Sequence, residues 1–263
     1  MLYQNTGRHF HHNIHSVRVL DEIFPYNISL QTLNGIACHN GELELSEYRP
    51  KEMSSFDDFD LQIESCYQSS DNVKKLIPST LEGCVVRIAD IIAYLGKDRQ
   101  DANRAKVSGG NFLNTEIGSV NAEMINNLIV NIIENSYGKP YIKMDTVYFE
   151  ALVKAKKENY EKIYRLDSVE SVLNQQIRPM MHAVYDRMLM DLKNENTESP
   201  IYKHHIDYIK KSHYLRATPY ENTEPNQIVT DYIASMTDDY FVDLYTHLFP
   251  ENKISLTYKG YFD

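Results

Sequence analysis

The sequence predicts an all-α protein, and three observations support this. Apolar residues recur at spacings of three and four over most of the 263 residues, which is the period of a helix that buries one face. Alternating strand patterns are nearly absent, apart from a possible short pair within residues 253–262. Short polar stretches such as NENTESP separate the periodic segments and serve as linkers between helices.

The N-terminal part is predicted to form two helices. The first spans residues 12–24, and its apolar face consists of Ile14, Val17, Leu20 and Phe24. The second begins at a cap formed by Asn27 or Ser29 and ends near Gly41. Residues 46–72 are polar and lack a clear period, so we expect an irregular excursion or flap there.

Residues 85–98, VVRIADIIAYLGKD, predict a helix that is apolar almost all the way round and therefore buried. This helix nevertheless carries one polar stripe at spacings of four: Asp90, Tyr94 and Asp98. A buried carboxylate is costly without a partner. Either Asp90 is a core residue paired with Arg87 or Lys97, or the stripe faces a ligand.

Four more helical segments complete the chain. They are predicted at residues 119–140, 145–165, 168–194 and 224–249. Gly138 and Pro140 stop the first of them, and Pro179 kinks or splits the third. The second is amphipathic, with a polar side that includes Lys154, Lys156 and Lys157.

Composition narrows the functional classes. The formal net charge of −10 argues against a general nucleic-acid binder, which needs a basic surface. No stretch approaches the ~18 apolar residues of a membrane span, and no signal peptide is recognisable. Three scattered cysteines, Cys38, Cys66 and Cys84, suggest neither a disulfide framework nor a metal pair. We therefore expect a cytoplasmic protein without membrane or nucleic-acid partners.

Histidines cluster near the N-terminus within seven positions: His9, His11, His12 and His15. His11 and His15 are four residues apart, a spacing at which two imidazoles can chelate a divalent metal. The N-terminus of the helix also favours an anion such as phosphate. The alternative is a polar, solvated helix start with no ligand.

The stretch DYIASMTDDY places further polar groups near the C-terminus. On one continuous helix, Asp231, Ser235 and Asp238 would share a face. Spacing alone favours a different interpretation, in which this stretch is a junction between two helices. Thr237 or Asp238 would then cap the second helix.

Three stretches together resemble a known family. FHHNIHSVRVL is similar to F-x-H-N-x-x-S-x-R, and RIADIIAYLGKDRQDA is similar to A-D-x-I-A-Y-x-x-x-D-x-x-D-A. VTDYIASMTDDY is similar to D-Y-I-A-G-M-T-D-x-Y, with Ser235 where glycine is usual. The three occur in this order in the HD-domain deoxynucleoside triphosphate triphosphohydrolases, the dGTPase-like family.

The resemblance implies an HD-domain-like helical bundle with a helical C-terminal extension. Residues 1–118 would form a partial HD-type core, and residues 119–263 would complete the nucleotide pocket. The implied reaction is hydrolysis of a dNTP, such as dGTP, to deoxynucleoside and triphosphate. The implied cofactor is a divalent metal such as Mn²⁺ or Mg²⁺.

The resemblance also assigns roles to individual residues. Asp90 would be a metal ligand, and His12 would act at the scissile phosphate as a proton donor or charge stabiliser. The substrate-binding residues would be Tyr94, Asp98, Asp231, Tyr232 and Asp238. Arg18 would contact phosphate, although a surface charge is an equally good interpretation.

The sequence departs from the family pattern at the metal site. Nine residues precede Phe10 and contain no His-Asp dipeptide, so three of the four implied metal ligands are missing. Substitution by His9, His11 or His39 is one alternative. We expect a fragment or a short protein with an incomplete metal site. Its second possible function is that of a nucleotide-binding or regulatory subunit, and its third is purely structural.

The same departure leads to an expected partner. An apolar patch near His12, Asp90 and Tyr94 should be exposed, and such patches promote association. We expect a homo-oligomer, or pairing with a separate N-terminal segment.

Overall fold

The computed structural model describes residues 1–40, 45–107, 111–212, 214, 216, 218–252, 254 and 256. These residues confirm the all-α prediction. The α-helices, in chain order, are α1 (Leu2–Thr6), α2 (His12–Arg18), α3 (Leu30–Cys38), α4 (Phe56–Gln68), α5 (Ser70–Val73), α6 (Leu81–Arg104), α7 (Asn121–Ser136), α8 (Thr146–Asn159), α9 (Asp167–Val172), α10 (Arg178–Lys193), α11 (Asp207–Lys210), α12 (Pro225–Ala234) and α13 (Asp238–Leu248).

Shorter elements join several of these helices. The π-helical segments are Val19–Ile23, Tyr160–Tyr164, Leu173–Ile177 and Ile201–Ile206, and Tyr220–Asn222 is a 3₁₀ turn. Two strands, β1 (Glu47–Tyr48) and β2 (Ile142–Lys143), pair antiparallel. The sequence did not predict this pair, because two residues are too short to show alternation.

The chain divides into two compact units, each with its own hydrophobic core. The N/C unit consists of Met1–Ile28, Tyr67–Ser69 and the described residues from Ser171 onward. The middle unit consists of the described residues of Ser29–Cys66 and Ser70–Glu170. The predicted division at residue 118, which separates two functional regions, stays a prediction.

In the N/C unit, α10 packs against α12 and α13, and α1 packs against α12. Its core is built from apolar side chains that include Met180, Val184, Met188, Ile228 and Val229. At Pro179 the helix changes type and does not end, because Ile177 and Arg178 both have right-handed helical backbone angles. A π-helical segment ends at Ile177, and Pro179 lies in the first turn of α10, where its missing N–H costs no hydrogen bond.

In the middle unit, α6 packs against α3, α7 and α8. Thr80 caps α6 by accepting a hydrogen bond from the backbone N–H of Gly83 at 3.1 Å. Gly96 allows α7 to approach closely, because a Cβ there would lie 2.6 Å from the Cα of Asn121. The core comprises residues such as Ile88, Ile91, Leu95, Met124 and Leu128.

Two predictions about this unit are wrong in part. The polar segment 46–72 contains a helix, α4, in which Phe59, Ile63 and Cys66 form a narrow inward stripe. The helix over residues 85–98 is not buried all round, since Val85 and Val86 are 47% and 48% exposed. It is also longer than predicted, because α6 runs from Leu81 to Arg104.

Three further predictions concern the whole chain. The possible strand pair at residues 253–262 falls largely outside the described residues. All three cysteines are buried free thiols. Within the described part of the chain, no helix combines the length and apolar character needed to cross a membrane.

Candidate functional site

A polar cavity opens beside the middle of α6. It has a volume of about 430 Å³, within the usual range of ~300–1,000 Å³ for small-molecule sites. Its lining comes from α6, α8 and the π-helical segment that follows α8: Tyr94, Asp98, Lys156, Asn159, Tyr160 and Tyr164. We call it the α6–α8 pocket. The polar stripe of α6 therefore lines a cavity through Tyr94 and Asp98.

Asp98 has a specific partner in this pocket. The hydroxyl of Tyr164 donates a hydrogen bond to Oδ2 of Asp98. Partial burial raises the pKa of Asp98, although the hydrogen bond from Tyr164 opposes this. Burial, together with the neighbouring carboxylate, also raises the pKa of Tyr164. The pair thus presents a carboxylate and a neutral phenol to the cavity.

A buried network supports the wall of the pocket. Arg99 donates to Oδ1 of Asn159 at 2.8 Å and to Oε2 of Glu158 at 2.9 Å. Asn159 in turn donates to the carbonyl of Leu95 at 2.8 Å. The Arg99 guanidinium also lies over the ring of Phe112, 4.5 Å from its centroid. These bonds fix α8 against α6 and so hold the two sides of the pocket in place.

Sequence reasoning missed four of the lining residues, namely Lys156, Asn159, Tyr160 and Tyr164. Lys156, Tyr160 and Tyr164 recur at spacings of four, as the stripe on α6 does. From the sequence, Lys156 is predicted only to lie on the polar side of an amphipathic helix. The repeated spacing of four was the available signal, but the sequence does not reveal that the two stripes face each other.

Asp90 lies one turn before Tyr94 on α6 and is partly buried. The two cations proposed as its partners have other partners of their own. Arg87 donates to the carbonyl of Leu76 at 2.7 Å, and Lys97 pairs with Asp101 at 2.6 Å. A metal-binding role for Asp90 stays a prediction.

His12 is the first residue of α2, in the N/C unit, and its side chain is exposed. His15 differs, because it is buried and its ring lies 5.2 Å from that of Phe10. Burial lowers the pKa of His15, although the Asp231 carboxylate, 3.8 Å from its Nδ1, opposes the shift. The catalytic role of His12 stays a prediction.

Arg18 and Asp231 form the buried centre of the N/C unit. Nε of Arg18 lies 2.9 Å from Oδ1 of Asp231, and Nη2 lies 2.9 Å from Oδ2. Gln227 and the hydroxyl of Tyr220 also donate to this carboxylate, at 2.8 and 2.9 Å. Arg18 is therefore not a surface charge. The two residues bind each other, and substrate contact by either stays a prediction.

Hydrogen bonds and ring contacts extend from this centre to further aromatic residues. His205 Nε2 lies 2.8 Å from the hydroxyl of Tyr220. The ring of His205 also packs against Tyr232, with centroids 5.2 Å apart. The Tyr232 hydroxyl lies 2.6 Å from that of Tyr240. Tyr232 is thus a buried member of an aromatic cluster.

The junction interpretation of DYIASMTDDY is confirmed. α12 ends at Ala234 and α13 begins at Asp238, with Thr237 as its cap. The Thr237 side chain accepts a hydrogen bond from the Tyr240 N–H at 3.2 Å. Asp238 is exposed in the first turn of α13, where a negative charge interacts favourably with the helix dipole. Its predicted contact with substrate stays a prediction, as does that of Tyr232.

The residues that the structure describes do not fit a metal centre. Among them, no three His, Cys, Asp or Glu side chains are placed to hold a metal ion together.

Comparison with known proteins agrees with the motifs. Residues 142–247 match the phosphohydrolase-associated domain. A deoxyguanosinetriphosphate triphosphohydrolase-like protein of Caldanaerobacter subterraneus subsp. tengcongensis is 28% identical over 179 residues. Proteins with the same name from Clostridium perfringens (strain SM101 / Type A) and Clostridium tetani are 26% and 24% identical over 253 and 255 residues. No solved structure matches the chain significantly.

The alignments cover only part of the relatives. The match to the Caldanaerobacter protein covers 65% of this chain and 47% of that protein. The matches to the two clostridial proteins cover 91% of this chain and 60% of each relative. The chain therefore spans about half the length of the curated relatives it matches.

Proposed function

We propose that this chain, which is similar to the HD-domain, dGTPase-like phosphohydrolases, binds a deoxynucleoside triphosphate in the α6–α8 pocket for hydrolysis. The products would be deoxynucleoside and triphosphate. The observation that carries the proposal is the pocket itself. It unites Tyr94 and Asp98, two residues of the family motif, with a lysine and two further tyrosines.

The chemistry of the pocket suits a nucleotide. The ammonium group of Lys156 provides a positive charge for phosphate oxygens. The Asp98 carboxylate would accept hydrogen bonds from sugar hydroxyls, as it accepts one from the hydroxyl of Tyr164. Tyr94 and Tyr160 provide aromatic faces for a sugar or a base.

Hydrolysis would draw on further residues. His12 would donate a proton or stabilise charge at the phosphate, and Asp90 would contribute one ligand to a divalent metal such as Mn²⁺ or Mg²⁺. One ligand holds a metal weakly, and the described residues form no larger ligand group. This observation favours a second candidate, a nucleotide-binding or regulatory subunit without a complete metal centre.

Binding is tested with paired lysine variants. Equilibrium dialysis with radiolabelled dGTP, dATP, dCTP and dTTP would compare the wild type with Lys156→Gln and Lys154→Gln. Lys154 lies on the same helix but does not line the pocket. We expect Lys156→Gln to weaken binding about tenfold, since a charge-assisted contact contributes ~1.5–3 kcal/mol. Equal affinity in both variants, or no binding by the wild type, would refute the pocket assignment.

Hydrolysis is tested separately by measuring triphosphate release with Mn²⁺ or Mg²⁺. Release that is abolished in Asp90→Ala and His12→Ala would support the enzyme. Binding without release would support the regulatory subunit. If the protein neither binds nor hydrolyses a dNTP, a structural role remains.

A further inference from the structure

Another polar cavity lies inside the N/C unit, between α13 and the π-helical segment Ile201–Ile206 with the residues just before it. Its volume is about 420 Å³, which is large enough for a small organic molecule. We call it the α13 groove. It shares no lining residue with the α6–α8 pocket, so a ligand bound here would be independent of the proposed function.

One wall of the α13 groove is a stripe of side chains on α13. Its members recur at spacings of three and four and so share one face of the helix: Tyr240, Asp243, Leu244 and His247. Asp243 and His247 are exposed. Among the residues that the structure describes, neither side chain has a hydrogen-bond or ion-pair partner. The carboxylate and the imidazole are therefore available to a ligand.

His204, on the opposite wall, is oriented by a chain of hydroxyl groups. Its Nδ1 lies 2.7 Å from the hydroxyl of Tyr240, which lies 2.6 Å from the hydroxyl of Tyr232. Tyr232 is buried, and within the described part of the chain its hydroxyl bonds only to Tyr240. It therefore donates to Tyr240, because a buried O–H without an acceptor is costly. The Tyr240 hydrogen is then left for Nδ1 of His204, so a neutral His204 carries its own hydrogen on Nε2 and offers a donor to the groove.

Lys203 adds a cation next to His204. It forms an ion pair with Glu198, but the two side chains are 48% and 81% exposed. An exposed pair of this kind contributes at most about 1 kcal/mol. Lys203 can therefore exchange Glu198 for an anionic group of a ligand at little cost.

We infer that the α13 groove binds a free amino acid. Asp243 binds the ammonium group, and Lys203 and Nε2 of His204 bind the carboxylate. Leu244 and Pro200 provide apolar contact for the side chain of the ligand. The groove thus has an acceptor and donors for the two opposite charges of a zwitterion.

Other occupants match the groove less well. A metal ion does not fit, because no three His, Cys, Asp or Glu side chains of the described residues are placed to hold one together. The Asp243 carboxylate repels an inorganic anion. A simple amine leaves the donors of Lys203 and His204 without an acceptor. An amino acid uses all three groups.

The test is isothermal titration calorimetry of the whole chain with each of the twenty L-amino acids. We expect at least one of them to bind with a Kd of about 1 mM or lower. Two derivatives of that amino acid each lack one charge: the decarboxylated amine and the N-acetyl form. Each should bind at least about tenfold more weakly, because a charge-assisted contact contributes ~1.5–3 kcal/mol.

Variants of the groove locate the site. Asp243→Asn and Lys203→Gln should each weaken binding of the amino acid about tenfold. Asp239→Asn is the matched control, because Asp239 is an exposed aspartate of the same helix and lies outside the groove. All three positions are exposed, so we expect the variants to fold, and circular dichroism checks this.

Three results would overturn the inference. The first is a wild type that binds none of the amino acids at about 10 mM. The second is a folded Asp243→Asn variant that binds as tightly as Asp239→Asn, because the ligand would then lie elsewhere. The third is an amine or an N-acetyl derivative that binds as tightly as the amino acid, because only one charge would then be recognised.

Discussion

The guanidinium of Arg18 and the carboxylate of Asp231 form a bidentate ion pair inside one compact unit. The two residues lie 213 positions apart in the sequence. Both are buried, with 8% and 2% exposure. Burial works to lower the pKa of Arg18, but the hydrogen bonds and charge of Asp231 outweigh it and raise the pKa. The pair thereby joins α2 to α12 within the unit.

Breaking this pair should be costly. Asp231→Asn leaves the buried Arg18 charge with only the carboxylate of Glu22, whose side chain is 60% exposed, as an ionic partner, so we expect a loss of roughly 3–5 kcal/mol in the free energy of unfolding. Urea denaturation followed by circular dichroism measures this loss. The matched control is Asp101→Asn, which breaks the exposed pair with Lys97 and should cost at most about 1 kcal/mol. Equal losses in the two variants would contradict the central role of the buried pair.

His205 makes the stability of the same unit depend on pH. Burial lowers its pKa from the ordinary 6.5 to about 4, although Asp231 opposes the shift. Between these values the unfolded chain binds a proton that the folded unit excludes, so stability falls as the pH drops from 6.5 towards 4. The full effect is about 3 kcal/mol.

The variant His205→Gln tests this origin. Glutamine can still hydrogen-bond the Tyr220 hydroxyl but does not titrate. We expect its melting temperature to vary less between pH 4 and 6.5 than that of the wild type. His15, whose pKa is lowered by burial, accounts for a remaining slope. An unchanged pH profile in His205→Gln would exclude His205 as the source.

Close helix packing in the middle unit gives a third prediction. In Gly96→Ala, the new Cβ would meet the Asn121 backbone at 2.6 Å, so we expect a destabilisation of roughly 1–3 kcal/mol. In Gly35→Ala, the nearest atom is the Cα of Gly83 at 3.9 Å, and the better helix propensity should stabilise by up to about 1 kcal/mol. Thermal unfolding compares the two, and the same sign for both would contradict the packing.

The sequence predicted the features that depend on local pattern. Helical periodicity, the change of helix type at Pro179 and the junction capped by Thr237 are all properties of short stretches of sequence. It failed at α4, because the acidic first turn of that helix masks a narrow apolar stripe. The sequence also did not predict the exposure of Val85, since an apolar residue reads as buried whatever packs beside it.

Only one wall of the candidate site could be predicted from the sequence. The motif identified Tyr94 and Asp98, but the opposite wall comes from residues about 60 positions later in the chain. Long-range pairs such as Arg18 with Asp231, or Asp98 with Tyr164, depend on tertiary packing. No local pattern encodes these pairs. The sequence therefore predicted contacts with ligand or solvent for these polar groups and did not predict the side chains that they bind.

Asp98 should determine how nucleotide binding depends on pH. Its ionised carboxylate is the hydrogen-bond acceptor of the pocket, and burial raises its pKa. The affinity of the wild type for dNTP should therefore weaken as the pH falls through that raised pKa, at a higher pH than for an ordinary aspartate. Asp98→Asn should bind about tenfold more weakly at neutral pH and show a flatter profile. Isothermal titration calorimetry measures both, with Asp57→Asn, at an exposed position in the first turn of α4, as the control. If Asp98→Asn, like the control Asp57→Asn, matches the wild type at every pH, the nucleotide does not use the Asp98 carboxylate.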